Sequence, residues 1–305
     1  MTPTPSLAVV IPVHRQPHFL PEAVESVLAQ RGAPPIAIVI VDDGCPFPET
    51  RQIAAAYAAA HPGRVFALRR PNGGLSAARN TGIEFALAAF PDCTAIYFLD
   101  ADNRLAPPFL ARAWAALAAA TPAIGWVYPD FDMFGAPTAG SGAGPYSPLA
   151  HLTDNLCEAG SLVRRAVFES GLRFAEELRS GFEDWDFWLA AASRGFRGQH
   201  LPHAGFHYRR RAESMLSAAE RERPLLLETL RRRHPALFAP RRILAMEAAE
   251  APRLALWGGD AVRLHADPAG PPLETLTQAA ARERLWAAEE APGAAHFPVF
   301  VAFAA

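Results

Sequence analysis

Carboxylates at short spacings are the residues of this sequence best suited to chemistry. Asp100 and Asp102 stand two apart in Phe-Leu-Asp-Ala-Asp-Asn, Asp42 and Asp43 close the apolar run Ile-Ala-Ile-Val-Ile-Val, and Glu183, Asp184 and Asp186 crowd Phe-Glu-Asp-Trp-Asp-Phe. At a strand end residues i and i+2 face one side, so Asp100 and Asp102 present two oxygen donors of the kind a hard divalent cation takes. Asp42 and Asp43 suit a turn as well as a site, because aspartate is a turn former. The acids of the third cluster repel one another, which raises at least one pKa, whereas a helix N-terminus depresses them. They serve equally as the start of a helix whose core stripe is Trp185, Trp188 and Leu189. Asn72, Gly73 and Gly74 precede a helical stretch carrying Arg79 and Asn80. Glycine permits close backbone approach, a helix N-terminus favours an anion and a guanidinium binds phosphate oxygens in pairs, so Gly74 and Arg79 make a candidate phosphate clamp; a plain surface arginine is the alternative.

For these groups to act together, one framework has to gather them. Short apolar runs alternate with amphipathic stretches through the first half, the pattern of βα units building a mostly parallel sheet. Strands are predicted at Leu7–Val13, Ile36–Val41, Val65–Leu68 and Ala95–Leu99, and helices at Phe19–Leu28, Pro48–Ala60 and Leu75–Phe90. Ligands of open α/β sheets sit outside the carboxyl ends of strands, which puts His14, Asp42, Asp43, Asp100 and Asp102 along one rim. Phe134–Pro148 has no period and is expected to be a loop, either a lid or a tolerated insertion. Beyond it a strand near Gly160–Val163, a short helix, a second helix over Phe182–Gly195 and a strand ending at His207–Arg211 follow. Ala218–Arg242 is expected to be helical and basic, a solvated face more than a membrane-surface one. Strands at Leu254–Trp257 and Val262–Ala266, a helix through Glu274–Glu290 and a final apolar strand complete the reading.

Composition narrows the classes. The 305 residues are 50% hydrophobic and 20% charged, with a mean hydropathy of +0.04, which excludes a disordered chain. A net charge of −2 leaves no basic field for nucleic acid. All 29 basic residues are Arg, so Schiff-base chemistry and lysine phosphate clamps have no residue to do them. Cys45, Cys93 and Cys157 are too scattered for a disulfide framework or a zinc cluster. With no signal-like N-terminus and no apolar run near the ~18 residues that span a bilayer, the expectation is a cytoplasmic protein without a transmembrane segment, peripheral membrane contact through the basic stretch being the exception.

Val-Val-Ile-Pro-Val-His-Arg, Ile-Val-Ile-Val-Asp-Asp-Gly, Asn-Gly-Gly-Leu-Ser-Ala-Ala-Arg-Asn-Thr-Gly-Ile, Phe-Leu-Asp-Ala-Asp-Asn, Phe-Glu-Asp-Trp-Asp-Phe-Trp-Leu-Ala and His-Tyr-Arg-Arg-Arg-Ala-Glu-Ser-Met follow one another in the order and spacing of the family 2 glycosyltransferases, which this sequence resembles over Leu7–Ser217. The resemblance implies a GT-A fold over 1–217, Rossmann-like, with a nucleotide-binding half at about 1–133 and an acceptor and catalytic half at about 149–217. A helical extension (218–250) and an α+β segment of unassigned role (251–305) would follow. It implies inverting transfer of a sugar from a nucleoside-diphosphate sugar to a hydroxyl of a saccharide, lipid-linked or protein acceptor, assisted by Mn²⁺ or Mg²⁺. Pro12, His14, Asp42 and Asp43 would frame the nucleobase. Asp42, and Asp43 after it, would accept an imide N–H, which favours uridine-type bases; such an acceptor suits uracil or thymine N3–H and guanine N1–H, and adenine has no counterpart. Asp102 would ligate the metal, Asp100 would meet the ribose or the metal through water, and Arg79 would clamp the diphosphate. Asp184, with Glu183 beside it, would be the base. In the last block Arg211 stands where the family has a metal-binding histidine; a guanidinium cannot ligate a metal, so Arg211 and Ser214 become phosphate or loop contacts and His207 a minor metal candidate. Two rivals are a sugar-nucleotide nucleotidyltransferase, whose usual lysine is missing, and a non-catalytic sugar- or nucleotide-binding module.

Overall fold

A computed structural model of the chain describes residues 4–135, 144–210, 221–250, 254–258, 260–265, 272, 274–281 and 300–303. The backbone falls into two compact units, Met1–Tyr146 with Asp154–His234, and Ser147–Thr153 with Pro235–Ala305. The helix at Arg223–Arg233 thus belongs to the first unit, where a separate extension was expected from residue 218.

In the first unit, β1 (Leu7–Val13), β2 (Ile36–Asp43), β3 (Val65–Arg70) and β4 (Ala95–Phe98) pair in parallel in the order β3-β2-β1-β4. The sheet continues through β7 (Leu162–Arg164), β6 (Ile124–Phe134), β8 (Arg197–Arg209) and β5 (Arg104–Leu105). There the β4–β7, β6–β7 and β5–β8 pairs are antiparallel and β6–β8 is parallel. Helices α1 (Leu20–Leu28), α2 (Pro48–Ala60), α3 (Leu75–Ala89), α4 (Phe109–Ala119), α5 (Arg165–Glu169) and α6 (Glu183–Ser193) flank it. The result is a GT-A fold with a mixed sheet of eight strands among the described residues. The strands of the parallel half keep the predicted starts; β1 also keeps its end, β2 and β3 run two residues further and β4 stops one residue sooner. Arg104–Phe134, to which the sequence reading assigns no element, forms β5, α4 and β6.

Period-2 alternation in β1 supplies both faces of the sheet. Leu7, Val9 and Ile11 join the core with α1 and α4, and Ala8 and Val10 join the one with α3, α5 and α6, all of them fully buried. At about 1.5–3 kcal/mol for each large aliphatic side chain, this double burial fixes which strand ends meet at the rim. Gly82 brings α3 close to β1, for a Cβ there would overlap Cγ1 of Val10.

Two expectations are corrected. Ala218–Arg242 is not one helix: α7 (Arg223–Arg233) stops before Pro235, α8 (Pro240–Glu250) starts at a proline, and 211–220 lies outside the described residues. Two of its arginines are engaged by acids, Arg223 by Asp154 (2.9 Å) and Arg233 by Asp186 (2.7 Å), which leaves less charge for a membrane face. Glu274–Thr277 is not helical but forms β11, paired antiparallel to β10 (Ala261–His265) in the second unit; only 278–281 is helical, and 282–290 lies outside the described residues. There β9 (Leu254–Gly258) and the terminal β12 (Phe300–Phe303) complete a sheet ordered β11-β10-β9-β12. Of the expected loop, 136–143 is likewise outside the described residues. No helix among those described is long and apolar enough to cross a membrane.

Candidate active site

A cavity of about 700 Å³ opens at the carboxyl ends of β1, β2 and β4. Pro12, His14, Asp43, Gly74, Arg79 and Asp100 line it, as do Asp102, Glu183 and Asp184. Asp42 and His207 do not, and Arg211 and Ser214 lie outside the described residues.

Asp42 and Asp43 end the same strand on opposite duties. The Asp42 carboxylate accepts the Cys45 N–H (2.8 Å) and pairs with Arg69 (3.2 Å), which makes it a turn residue behind the rim. Of the two acids expected at the nucleobase, Asp43 lines the cavity and Asp42 does not. The Asp43 carboxylate accepts N–H groups from Gly73 (3.0 Å), Gly74 (2.8 Å) and the Asn72 amide (3.0 Å), and Arg70 pairs with it at 3.2 Å. The anion that the N-terminus of α3 favours is thus Asp43 itself, held by the two backbone amides expected to cradle a diphosphate. Gly74 serves this turn with φ +94, a left-handed value that suits glycine. His14 Nδ1 lies 3.0 Å from the Asp43 carbonyl oxygen, at the cavity wall.

Arg79 is no clamp in waiting. Its guanidinium is 1% exposed, donates to Glu183 Oε1 and Asp100 Oδ1 at 2.9 Å each, and lies 5.2 Å from the centre of the Phe174 ring. Burial opposes its charge, but Asp100, Glu183 and Asp184 more than offset that and hold its pKa above the ordinary arginine value. A diphosphate could claim these nitrogens only by stripping buried Glu183 and part-exposed Asp100 of their partner. The expected phosphate contact is a positioning group: it ties the Asp100–Asp102 turn to the acids of α6.

Gly181 (φ +118) and Phe182 (φ +61) turn the chain sharply into α6, the second at a strain of roughly 1–2 kcal/mol for a residue with a Cβ. The turn aims the first acids of the helix into the cavity. Asp184 Oδ1 accepts the Trp185 N–H (2.7 Å) and Oδ2 accepts the Asn155 amide (3.1 Å). Burial, then the Glu183 charge, raises its pKa to about 7 against the pull of Arg79 and these two donors. Asp186 faces elsewhere: burial would raise it, but hydrogen bonds from His234 and Arg233 leave its pKa below the usual range, and it anchors α7. Trp188 is core, stacked on Trp126 at 4.9 Å and donating to the Cys157 carbonyl (2.7 Å).

Asp100 and Asp102 both line the cavity and are the pair there that could hold a cation. Their donor set fits Mg²⁺ or Mn²⁺, which are commonly held by one or two carboxylates together with phosphate oxygens. No third ligand arrives from His207, which pairs with Asp132 (3.8 Å) while its strand neighbour Tyr208 lines the cavity; this corrects its place as a metal candidate. Among the described residues no group of three His, Cys, Asp or Glu gathers to hold a metal. Asn103 accepts the Arg209 N–H (2.9 Å) and so fastens the turn to β8. Several cavity residues were not legible. Asn155 and Glu158 carry no period or motif, and burial, then Asp100 and Asp184, drives the Glu158 pKa well above the usual carboxylate range. Arg209 and Arg210 sit beside Arg211 in a recognisable block. Arg209 donates to the Asp102 carbonyl (2.9 Å), and Arg210 has a thioether contact to Met133 (3.8 Å).

The sequence matches the model of glycosyl transferase family 2 over residues 8–175, a stretch that ends before Glu183. It is 34% identical over 112 residues, 36% of this chain and 34% of the other, to the succinoglycan biosynthesis protein ExoW of Rhizobium meliloti (strain 1021). It is 32% identical over 108 residues, 35% of this chain and 29% of the other, to the uncharacterized glycosyltransferase EpsJ of Bacillus subtilis (strain 168). The matched stretch therefore spans about a third of these relatives' length. Among solved structures, S. aureus TarS 1–349 in complex with UDP has a TM-score of 0.59 at 17% identity, covering 80% of this chain and 69% of that one. The mannosyltransferase PcManGT from Pyrobaculum calidifontis in complex with GDP-Man and Mn²⁺ has 0.54 at 18%, covering 81% and 75%. These likenesses are of fold.

Proposed function

Since the chain belongs to glycosyl transferase family 2, we propose that it moves a sugar from a nucleoside diphosphate to an acceptor hydroxyl with inversion, Asp184 taking the proton. The observation that carries this reading is one cavity holding a carboxylate with a pKa near 7 and, across Arg79, the Asp100–Asp102 pair. A base works best with a pKa near the working pH, and each oxygen of ionised Asp184 keeps a lone pair beyond the one that accepts the Trp185 N–H or the Asn155 amide. Inversion needs the acceptor to enter opposite the leaving diphosphate, so base and cation pair belong on different walls.

Asp100 and Asp102 would hold Mg²⁺ or Mn²⁺, whose chemistry when bound is to take up charge developing on the diphosphate. Arg210, with no carboxylate partner among the described residues, replaces Arg79 as the candidate phosphate contact, beside Arg211. Pro12, His14 and Asp43 would receive the base. The donor is proposed to be a uridine nucleotide: UDP in TarS and UDP-GlcNAc in a further TarS complex are in keeping with it, and GDP-Man in PcManGT names the competing base.

A thermal-shift panel of UDP, GDP, ADP and their sugars, with and without Mn²⁺, tests the donor. A ligand at a hundred times its Kd adds about 2.7 kcal/mol, so a metal-dependent rise confined to UDP is expected. A rise with none of them removes the reading. Product anomeric configuration by NMR tests inversion.

A further inference from the structure

Two arginines, Arg179 and Arg223, line the cavity beside Asp184. Arg223 lies over Phe182 (6.0 Å to the ring centre) and Trp185 (5.8 Å), the residues flanking Glu183 and Asp184, and pairs with Asp154 at 2.9 Å. Asp154 adjoins Asn155, which holds Asp184. Arg179, two residues before Gly181, lines the same wall. Its guanidinium is exposed and has no side-chain partner among the described residues. The nearest acids in its own segment are already engaged, Glu176 by Asn80 (2.9 Å) and Glu177 by Arg233 (2.5 Å). An exposed cation on a wall shared with Glu183 and Asp184 is therefore left to a ligand. On the opposite wall, Arg210 is the proposed contact for the donor's phosphates, while Arg209 is held by Glu22 and the Asp102 carbonyl.

We propose that the acceptor bears an anionic group, a phosphate ester or a carboxylate, next to the hydroxyl that Asp184 deprotonates, and that Arg179 receives it with Arg223 behind. The inference rests on Asp184 being the base. Without a cation on this wall an anionic acceptor would meet only the like charge of Glu183 and Asp184; with Arg179 there the charge is accommodated and a guanidinium fork orients it.

The test uses the full chain saturated with UDP and Mn²⁺ and titrates in, by calorimetry, a glycerol-phosphate oligomer, a uronic-acid oligosaccharide and a neutral gluco-oligosaccharide of similar length. One of the two anionic probes should bind about tenfold more tightly than the neutral one, and which does so separates phosphate from carboxylate. Arg179→Ala should abolish that preference, Arg179→Lys should keep part of it, and raised salt should shrink it. UDP affinity of Arg179→Ala should stay within about twofold, with an unchanged melting temperature showing that the exposed site tolerates the change. Equal binding of charged and neutral probes, no binding of either anionic probe, or an Arg179→Ala protein that keeps the preference overturns the proposal. So does a loss of UDP affinity in Arg179→Ala, which would make Arg179 a donor contact. If the unaltered chain binds none of the nucleotides of the thermal-shift panel, it is the transferase reading that fails, and this inference falls with it; if it binds another nucleotide in place of UDP, that nucleotide takes UDP's place in this test.

Discussion

At Asp184 the raised pKa is set by opposing contacts that can be removed one at a time. The Asn155 amide donates to the carboxylate and so favours its charged form; in Asn155→Ala the pKa should climb above about 7. A base acts when deprotonated, so turnover rises with pH through about 7 in the unaltered protein, and in Asn155→Ala this limb of the pH–rate profile should move upward. Asp184→Asn should lose about 10²–10⁴ in transfer rate yet still bind UDP, which a nucleotide titration beside the assay would check. Arg79→Ala is a different matter, because it strands buried Glu183 and costs about 3–5 kcal/mol in a denaturant titration. Lysine there should recover little, since a single ammonium cannot bridge Glu183 and Asp100 in a fork. The acids were legible from spacing; their facing was not. Asp42 and Asp43 share one motif, and the turn at Gly44 with the amides of Gly73 and Gly74 decides which of them meets the cavity. His207 was open to a parity argument: Ala204 and Phe206 are core and Tyr208 lines the cavity, so the odd position between them points away.

Elements were legible where the period was pure. Apolar β1, β2 with its apolar run up to Val41, and the Ala-rich α2 stand where alternation puts them, since buried parallel strands and helical stripes leave different patterns. Arg104–Phe134 hid three elements: β5 is two residues long and pairs only with β8, α4 is nearly all apolar, and β6 carries Pro129 at a register shift. Glu274–Thr277 looked helical by composition and is a strand because β10 offers it an edge. The contact most critical to the site at this scale is Gly82 against Val10, which sets the height of α3 over β1. Gly82→Ala should cost about 1–3 kcal/mol by overpacking, and because Arg79 lies one turn earlier on the same helix it should also weaken UDP binding. Gly195→Ala is the control. It is strained by φ +87 but has open space around its Cβ, so it should lower the melting temperature with no change in ligand affinity. If both variants leave UDP binding intact, α3 does not set the position of Arg79.

The two units of the molecule carry opposite proton preferences. In the first, Asp184 and Glu158 have raised pKa values, so the folded state binds their protons more tightly than the unfolded chain, and the stability this gives at low pH is lost as pH rises, for Asp184 through about 7. Asp130, Glu177 and Asp186 have lowered values, and the stability they give is lost only as pH falls below the ordinary carboxylate range. In the second unit, burial lowers the His151 pKa from 6.5 to about 3, so below 6.5 the unfolded chain takes up a proton that the folded unit refuses, and stability falls with pH. Between pH 7.5 and 5, therefore, the site region should gain protection while the second unit loses it. Hydrogen exchange read by mass spectrometry, corrected for the intrinsic pH dependence of exchange, should show slower exchange in peptides of Glu183–Ser193 and faster exchange in peptides of Pro240–Glu250. His151→Phe should remove the second change and leave the first. The base is needed in the form that costs the fold stability, so the pH of highest activity should lie above the pH at which the first unit is most protected. If the two optima coincide, Asp184 is not the group that limits the rate on the acid side.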